Sequence, residues 1–209
     1  QESLSTHFTV YALSFSGHGG QTPEKAFTMD LFVQDTLEFM EAQGLKTAHF
    51  FGYSMGGYVA LKLAQRHPEK VKKIVTLGTK FAWSPEIAAR EVKMLDPEKV
   101  ATKVPKFAAY LNRLHQPADW KTVMQQTAQM MIGLGDRPQL TGADFRDIQC
   151  PVLIIRGSED PMVSLEESET AAEQLPHGNF RMLEDTPHPI EKVNIKTLAK
   201  TLTLFISNA

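Results

Sequence analysis

The apolar run Ala48-His49-Phe50-Phe51 ends in Gly52-Tyr53-Ser54-Met55-Gly56, and a helical pattern begins at once. Strand, sharp turn and helix in such quick succession leave the backbone few solutions. The serine must take a strained conformation, and side chains two places either side of it would collide, so both places call for glycine. Gly52 and Gly56 stand there. The turn would lift a hydroxyl clear of the strand end onto a helix N-terminus, where unpaired N–H groups and the helix dipole favour negative charge. Ser54 therefore stands where a nucleophile is expected. The pattern also arises by chance, so the rest of the chain has to decide.

With 209 residues, the chain allows one large or two small domains and a sizeable core. Its net charge of −2, with no basic stripe, argues against a nucleic-acid partner. The one cysteine, Cys150, rules out an internal disulfide framework and a multi-cysteine zinc site, and reads as a small buried hydrophobe. No apolar run approaches the roughly 20 residues that cross a bilayer. The expected location is the cytoplasm and the expected partner a small molecule. The chain opens at Gln1 in what reads as a helix end, so the natural N-terminus is expected upstream.

Taken in order, Thr9-Val10-Tyr11-Ala12-Leu13 reads as a strand running into the glycine-rich loop Ser16–Gly20. A helix is expected from Thr28 to Gln43, a strand over 47–51, a helix from Met55 to Arg66 and a strand from Val71 to Leu77. This alternation is the mark of a parallel sheet with helices on its faces, an α/β class. It then lapses. Ser84-Pro85 and Asp96-Pro97 are N-caps followed by proline. Trp120, Val123, Met124, Thr127, Met130, Met131 and Leu134 fall at helical spacing, with Gly135 as the stop. Residues 82–145 read as a helical insertion lying over the sheet, and 1–81 and 146–209 as the two parts of the core domain. From Pro151 the strands resume with Val152–Ile155. Ser164 and Glu167 form a capping box, Phe180–Leu183 makes a last strand, and a closing helix carries Ile190, Val193, Leu198, Leu202, Phe205 and Ile206.

A serine hydroxyl is a weak nucleophile until a base takes its proton, and the base works best when a carboxylate fixes its tautomer. In a parallel sheet, loops after the C-terminal strand ends converge along one edge. Three such loops carry Ser54, Asp160 and His188, in the chain order Ser, Asp, His. Glu159 and Asp185 are the competing carboxylates. Of the other histidines, His7, His49, His67 and His115 lie in or beside helices and strands, and His177 belongs at the opposite end of the last strand.

In Ser16-Gly17-His18-Gly19, Gly52-Tyr53-Ser54-Met55-Gly56-Gly57, Gly157-Ser158-Glu159-Asp160 and Pro187-His188-Pro189 the chain resembles the α/β-hydrolase fold superfamily, in its small, lid-bearing esterase and C–C hydrolase branch. The resemblance spans nearly the whole chain and is loosest in the insertion, which it implies is a lid. It implies no cofactor and no metal. It also implies an oxyanion hole in which the N–H of Met55 is one donor. Candidate substrate contacts are Tyr53, Trp83, Trp120 and Met130. Ser14 stands where the family usually has aspartate. His18-Gly19-Gly20 suits the loop after the family's fourth strand, so the strands before it, and the loop supplying the second oxyanion donor, are expected upstream of Gln1. Without the family's third strand, two central strands would face each other across a vacant ladder.

The expected function is a serine hydrolase acting on a small acyl substrate, a carboxylic ester first, then C–C hydrolysis or acyl transfer. Serine in place of aspartate at the turn argues against dehalogenase and epoxide hydrolase chemistry. Two alternatives stand beside it. One is a cofactor-free lyase or synthase of the menaquinone-pathway type, using the same histidine–serine pair to abstract a proton. The other is a non-catalytic ligand-binding protein on the hydrolase fold.

Overall fold

The computed structural model describes residues 1–207. In chain order the elements are α1 (Glu2–Ser5), α2 (Met29–Ala42), β1 (Ala48–Tyr53), α3 (Met55–Arg66), β2 (Val71–Leu77), α4 (Pro85–Glu91), α5 (Pro97–Lys103) and α6 (Pro105–His115). They continue with α7 (Trp120–Asp136), α8 (Gly142–Asp147), β3 (Val152–Gly157), α9 (Leu165–Gln174), β4 (Gly178–Leu183) and α10 (Ile195–Ser207). They fall into two compact units. One comprises Gln1–Ala12, Met40–Phe81 and the chain from Leu140 onward, and the other Leu13–Phe39 and Ala82–Gln139.

The first unit holds a four-stranded sheet in the order β1-β2-β3-β4, parallel throughout. In its middle strands Ile74-Val75 and Val152–Ile155 are apolar because both faces are covered there. Period-2 alternation sends Val75, Leu77, Leu153, Ile155 and Leu183 to one face, where they meet Val193, Leu198 and Leu202. The alternate residue Thr76 faces α3. Fully burying one such aliphatic side chain contributes about 1.5–3 kcal/mol, so these strands are the part of the unit that fixes everything at their ends. Since all four run the same way, the loops that follow β1, β2, β3 and β4 leave from one edge.

The second unit is held by helix packing and aromatic stacking. Trp120, Val100 and Met124 form a small core with Leu95, Ala101, Ala108 and Leu111 around it. Phe15 stacks on Phe32 with ring centroids 4.8 Å apart, and His18 on Phe27 at 4.9 Å. The N–H of Phe27 donates to Gln126 Oε1 at 3.1 Å, tying that stretch to α7. Ser84 caps α4 through Ile87 N–H, and Asp96 caps α5 through the N–H groups of Glu98 and Lys99.

Three local expectations need correction. Thr9–Leu13 forms no strand: it lies outside the four-stranded ladder, and an extended segment becomes a strand only by pairing. Gly135 does not stop its helix, which runs on to Asp136. A Cβ at Gly135 would lie 2.6 Å from Ala88 Cβ and 2.8 Å from the Ser84 carbonyl, so close packing against the start of α4 explains it. At the serine turn, Gly52 is required as expected, its Cβ position being 2.4 Å from the backbone of Gly56 and Gly57. A Cβ at Gly56 would meet nothing within 4 Å, whereas one at Gly57 would lie 2.0 Å from Thr79 Oγ1. The demanding second glycine is Gly57.

Candidate active site

Ser54 sits between β1 and α3 with φ 50° and ψ −117°, a region that a residue with a side chain occupies only under constraint. The constraint is visible. Its N–H donates to the Leu77 carbonyl at 2.8 Å, and its carbonyl accepts from the Thr79 hydroxyl at 2.9 Å. Met55 is the first residue of α3, so its N–H is among those a helix start leaves without an intrahelical acceptor.

Asp160 follows β3 in a loop that Arg156 organises: Nε donates to the Val163 carbonyl at 2.7 Å and Nη2 to the Asp160 carbonyl at 2.9 Å. The Asp160 side chain is buried and both its oxygens are used. Oδ1 accepts the N–H groups of Met162 at 2.8 Å and Val163 at 3.1 Å, and Oδ2 lies 2.7 Å from His188 Nδ1. Burial by itself pushes the carboxyl's pKa up. The hydrogen bonds from His188, Met162 and Val163, with the histidine's charge, outweigh it and hold Asp160 below the ordinary aspartate value. An ionised carboxylate can only accept, so Nδ1 is the donor of this bond, and in the neutral imidazole that leaves the lone pair on Nε2.

The loops of Asp160 and His188 meet because Gly157 leaves room. A Cβ there would lie 2.1 Å from the Thr186 carbonyl, and Glu159 N–H donates to that carbonyl at 3.1 Å. The pair rests on Gly78, just beyond β2. Its Cβ position, at φ +59°, is 3.1 Å from Asp160 Oδ2 and 3.2 Å from His188 Nδ1. Leu77, which holds the N–H of Ser54, is its neighbour. Residues from three loops thus converge on Leu77-Gly78-Thr79.

The sequence pointed to Ser54, Asp160 and His188 as candidates, and of these the last two are hydrogen-bonded to each other; Gly78 and Thr79, a Gly-Thr pair closing an apolar strand, were not among its candidates. Its other candidates sit variously. The Tyr53 hydroxyl donates to the His188 carbonyl at 3.0 Å. Trp120 is packed in the small core of the second unit. Met130 is buried on α7 beside an open cavity of about 600 Å³ lined also by Phe27, Met29 and Leu134. Trp83 is half-buried ahead of α4. His177 lies at the start of β4, its carbonyl accepting Val152 N–H, at the sheet edge away from the pair. Cys150 is half-buried, and burial pushes its thiol up to about 11, as befits an inert side chain. Among the described residues no group of three or more His, Cys, Asp or Glu side chains is arranged to hold a metal ion. No helix among them is long and apolar enough to cross a membrane.

A family model described as alpha/beta hydrolase fold matches residues 1–191. The chain belongs to that family. Among its relatives, this α/β-hydrolase is 30% identical over 210 residues to a pimeloyl-[acyl-carrier protein] methyl ester esterase of Aromatoleum aromaticum, covering 88% of this chain and 82% of that protein. It is 25% identical over 217 residues to (E)-2-((N-methylformamido)methylene)succinate hydrolase of Acinetobacter baylyi, covering 92% and 80%. The fold of a meta-cleavage product hydrolase from Pseudomonas fluorescens matches that of the α/β-hydrolase described here with a TM-score of 0.75 at 20% identity, over 98% of this chain and 82% of that one. The relatives named here are hydrolases, and hydrolase activity is the coarse function they support for this one.

Proposed function

We propose that the protein is a serine hydrolase that cleaves a small carboxylic ester through an acyl-enzyme, with Ser54 as nucleophile, His188 as base and Asp160 as the orienting carboxylate. The observation that carries this reading is the 2.7 Å hydrogen bond between Asp160 Oδ2 and His188 Nδ1, lying on the Gly78 backbone beside the residue that holds Ser54. A methyl ester esterase among the relatives supports an ester as substrate.

In the first half-reaction His188 Nε2 takes the proton of Ser54 Oγ as the oxygen bonds to the carbonyl carbon. Charge passes to the carbonyl oxygen, where the Met55 N–H stabilises it. As the tetrahedral intermediate collapses, the bond to the alcohol oxygen breaks and the imidazolium returns its proton to that oxygen. Water then attacks the acyl-enzyme, giving its proton to His188 as its oxygen bonds to the same carbon. The second collapse releases the carboxylic acid and restores the serine hydroxyl. Asp160 stays ionised throughout and favours the imidazolium that each step forms. The helical segment 82–145 is proposed as the lid that selects the acyl group.

A panel of p-nitrophenyl esters of increasing acyl length tests this. Saturable hydrolysis that disappears in Ser54→Ala is expected. Equal rates for the wild type and Ser54→Ala across the panel would sink the proposal.

A further inference from the structure

A reactive serine held at φ 50° relaxes toward ordinary angles unless its backbone is tied. The ladder between β1 and β2 ends with Tyr53 opposite Leu77. Past it, Ser54 N–H still reaches the Leu77 carbonyl, but its own carbonyl points into the first turn of α3. There it accepts Gly57 N–H at 3.1 Å and the Thr79 hydroxyl at 2.9 Å. Thr79 is 2% exposed. Its hydroxyl gets in only because Gly57 lacks a side chain, since a Cβ there would stand 2.0 Å from Thr79 Oγ1.

The carbonyl of Ser54 and the N–H of Met55 belong to one planar peptide unit and point in opposite directions. Whatever fixes the carbonyl fixes the N–H. We propose that Thr79 is a positioning residue. Through the Ser54 carbonyl it sets the plane of the Ser54–Met55 peptide, and so aims the Met55 N–H at the developing oxyanion while holding the serine in its strained conformation. This rests on the reading of Ser54 as nucleophile and Met55 as oxyanion donor. It adds a residue that touches neither the substrate nor the reacting atoms.

Thr79→Val keeps the side chain's shape and removes the hydroxyl, while Thr79→Ser keeps the hydroxyl. Losing a whole oxyanion donor costs roughly 10²–10³ in kcat, so one that is only misaimed should cost less, about 10- to 100-fold. The expected result on the best ester of the panel is that fall in kcat for Thr79→Val with KM within about twofold, and near wild-type kcat for Thr79→Ser. Unchanged kcat in Thr79→Val, or an equal fall in Thr79→Ser, overturns the proposal. If the wild type hydrolyses no ester, the reading of Ser54 has failed, and a crystal structure of Thr79→Val decides the positioning claim separately. A rotated Ser54–Met55 peptide plane supports it, and an unmoved one overturns it. Should Thr79→Val not fold, Thr79→Ala carries the same comparison against Thr79→Ser.

Discussion

The hydroxyl of Tyr53 donates a 3.0 Å hydrogen bond to the backbone carbonyl of His188, so the residue before the serine holds the backbone of the histidine. The two rings lie 5.4 Å apart. Phe in place of Tyr53 keeps the ring and deletes this bond, with an expected cost of about 0.5–1.5 kcal/mol of stability. Chemical denaturation of the wild type and Tyr53→Phe checks it.

Burial, aided by the charge of Glu191, pushes the Tyr53 phenol up to about 12. The folded value thus exceeds the ordinary one of about 10. The phenol's contribution to stability is whole below pH ~10 and lost as pH rises through the folded value. The Tyr53 phenolate is expected only near pH 12, and the titrations of wild type and Tyr53→Phe are expected to diverge there. An ultraviolet phenolate titration of both proteins is the measurement.

Asp160 is held below the ordinary aspartate value, the opposite case. Its contribution to stability is present above pH ~3.9 and lost as pH falls through the lower folded value. The melting temperature of Asp160→Asn is expected to lie below that of the wild type by a constant gap above about pH 5, and the gap should close in acid. With the tautomer no longer fixed, kcat for ester hydrolysis is expected to fall about 10³–10⁴-fold. Melting curves across pH and steady-state kinetics test the two halves separately.

Gly78 has φ +59° and lies under the Asp160–His188 pair. Alanine there costs about 1–2 kcal/mol for the left-handed backbone. Its methyl would also stand 3.1 Å from Asp160 Oδ2 and 3.2 Å from His188 Nδ1, pressing on the hydrogen bond between them. Gly78→Ala is expected to lose kcat well beyond what its lowered melting temperature explains. Full activity at a modestly lowered melting temperature would count against the pair's importance.

Much of this arrangement is legible in the residues themselves. Ile74-Val75 and Val152–Ile155 are apolar because both faces of a parallel strand are buried there, and Ser164 with Glu167 caps α9 through bonds that depend on local spacing alone. What escaped reading depends on partners distant in the chain. Thr9–Leu13 has a strand's composition but no ladder, and Gly135 looks like a helix stop when its reason is Ala88. Gly57 is glycine because of Thr79, and Tyr53 reaches His188 across 135 residues of sequence. Ser54, Asp160 and His188 could be named as candidates because each stands in a loop after a strand of one parallel sheet, where order along the chain maps onto one edge.

Tyr58, on α3 one turn past the serine, offers a contrast. Its hydroxyl accepts the N–H of Leu140 at 2.8 Å in a buried setting. Tyr58→Phe leaves that N–H unsatisfied and is expected to cost about 1–3 kcal/mol while leaving the kcat of the surviving folded protein unchanged. Denaturation and ester kinetics on the same samples separate the two effects.

Covalent capture of the serine tests the central claim most directly. Treated with a fluorophosphonate, the wild type is expected to gain one adduct, mapped by peptide mass spectrometry to Ser54. The adduct should be absent from Ser54→Ala and form far more slowly in His188→Ala. A wild-type protein that stays unmodified, or an adduct elsewhere that persists in Ser54→Ala, would contradict it.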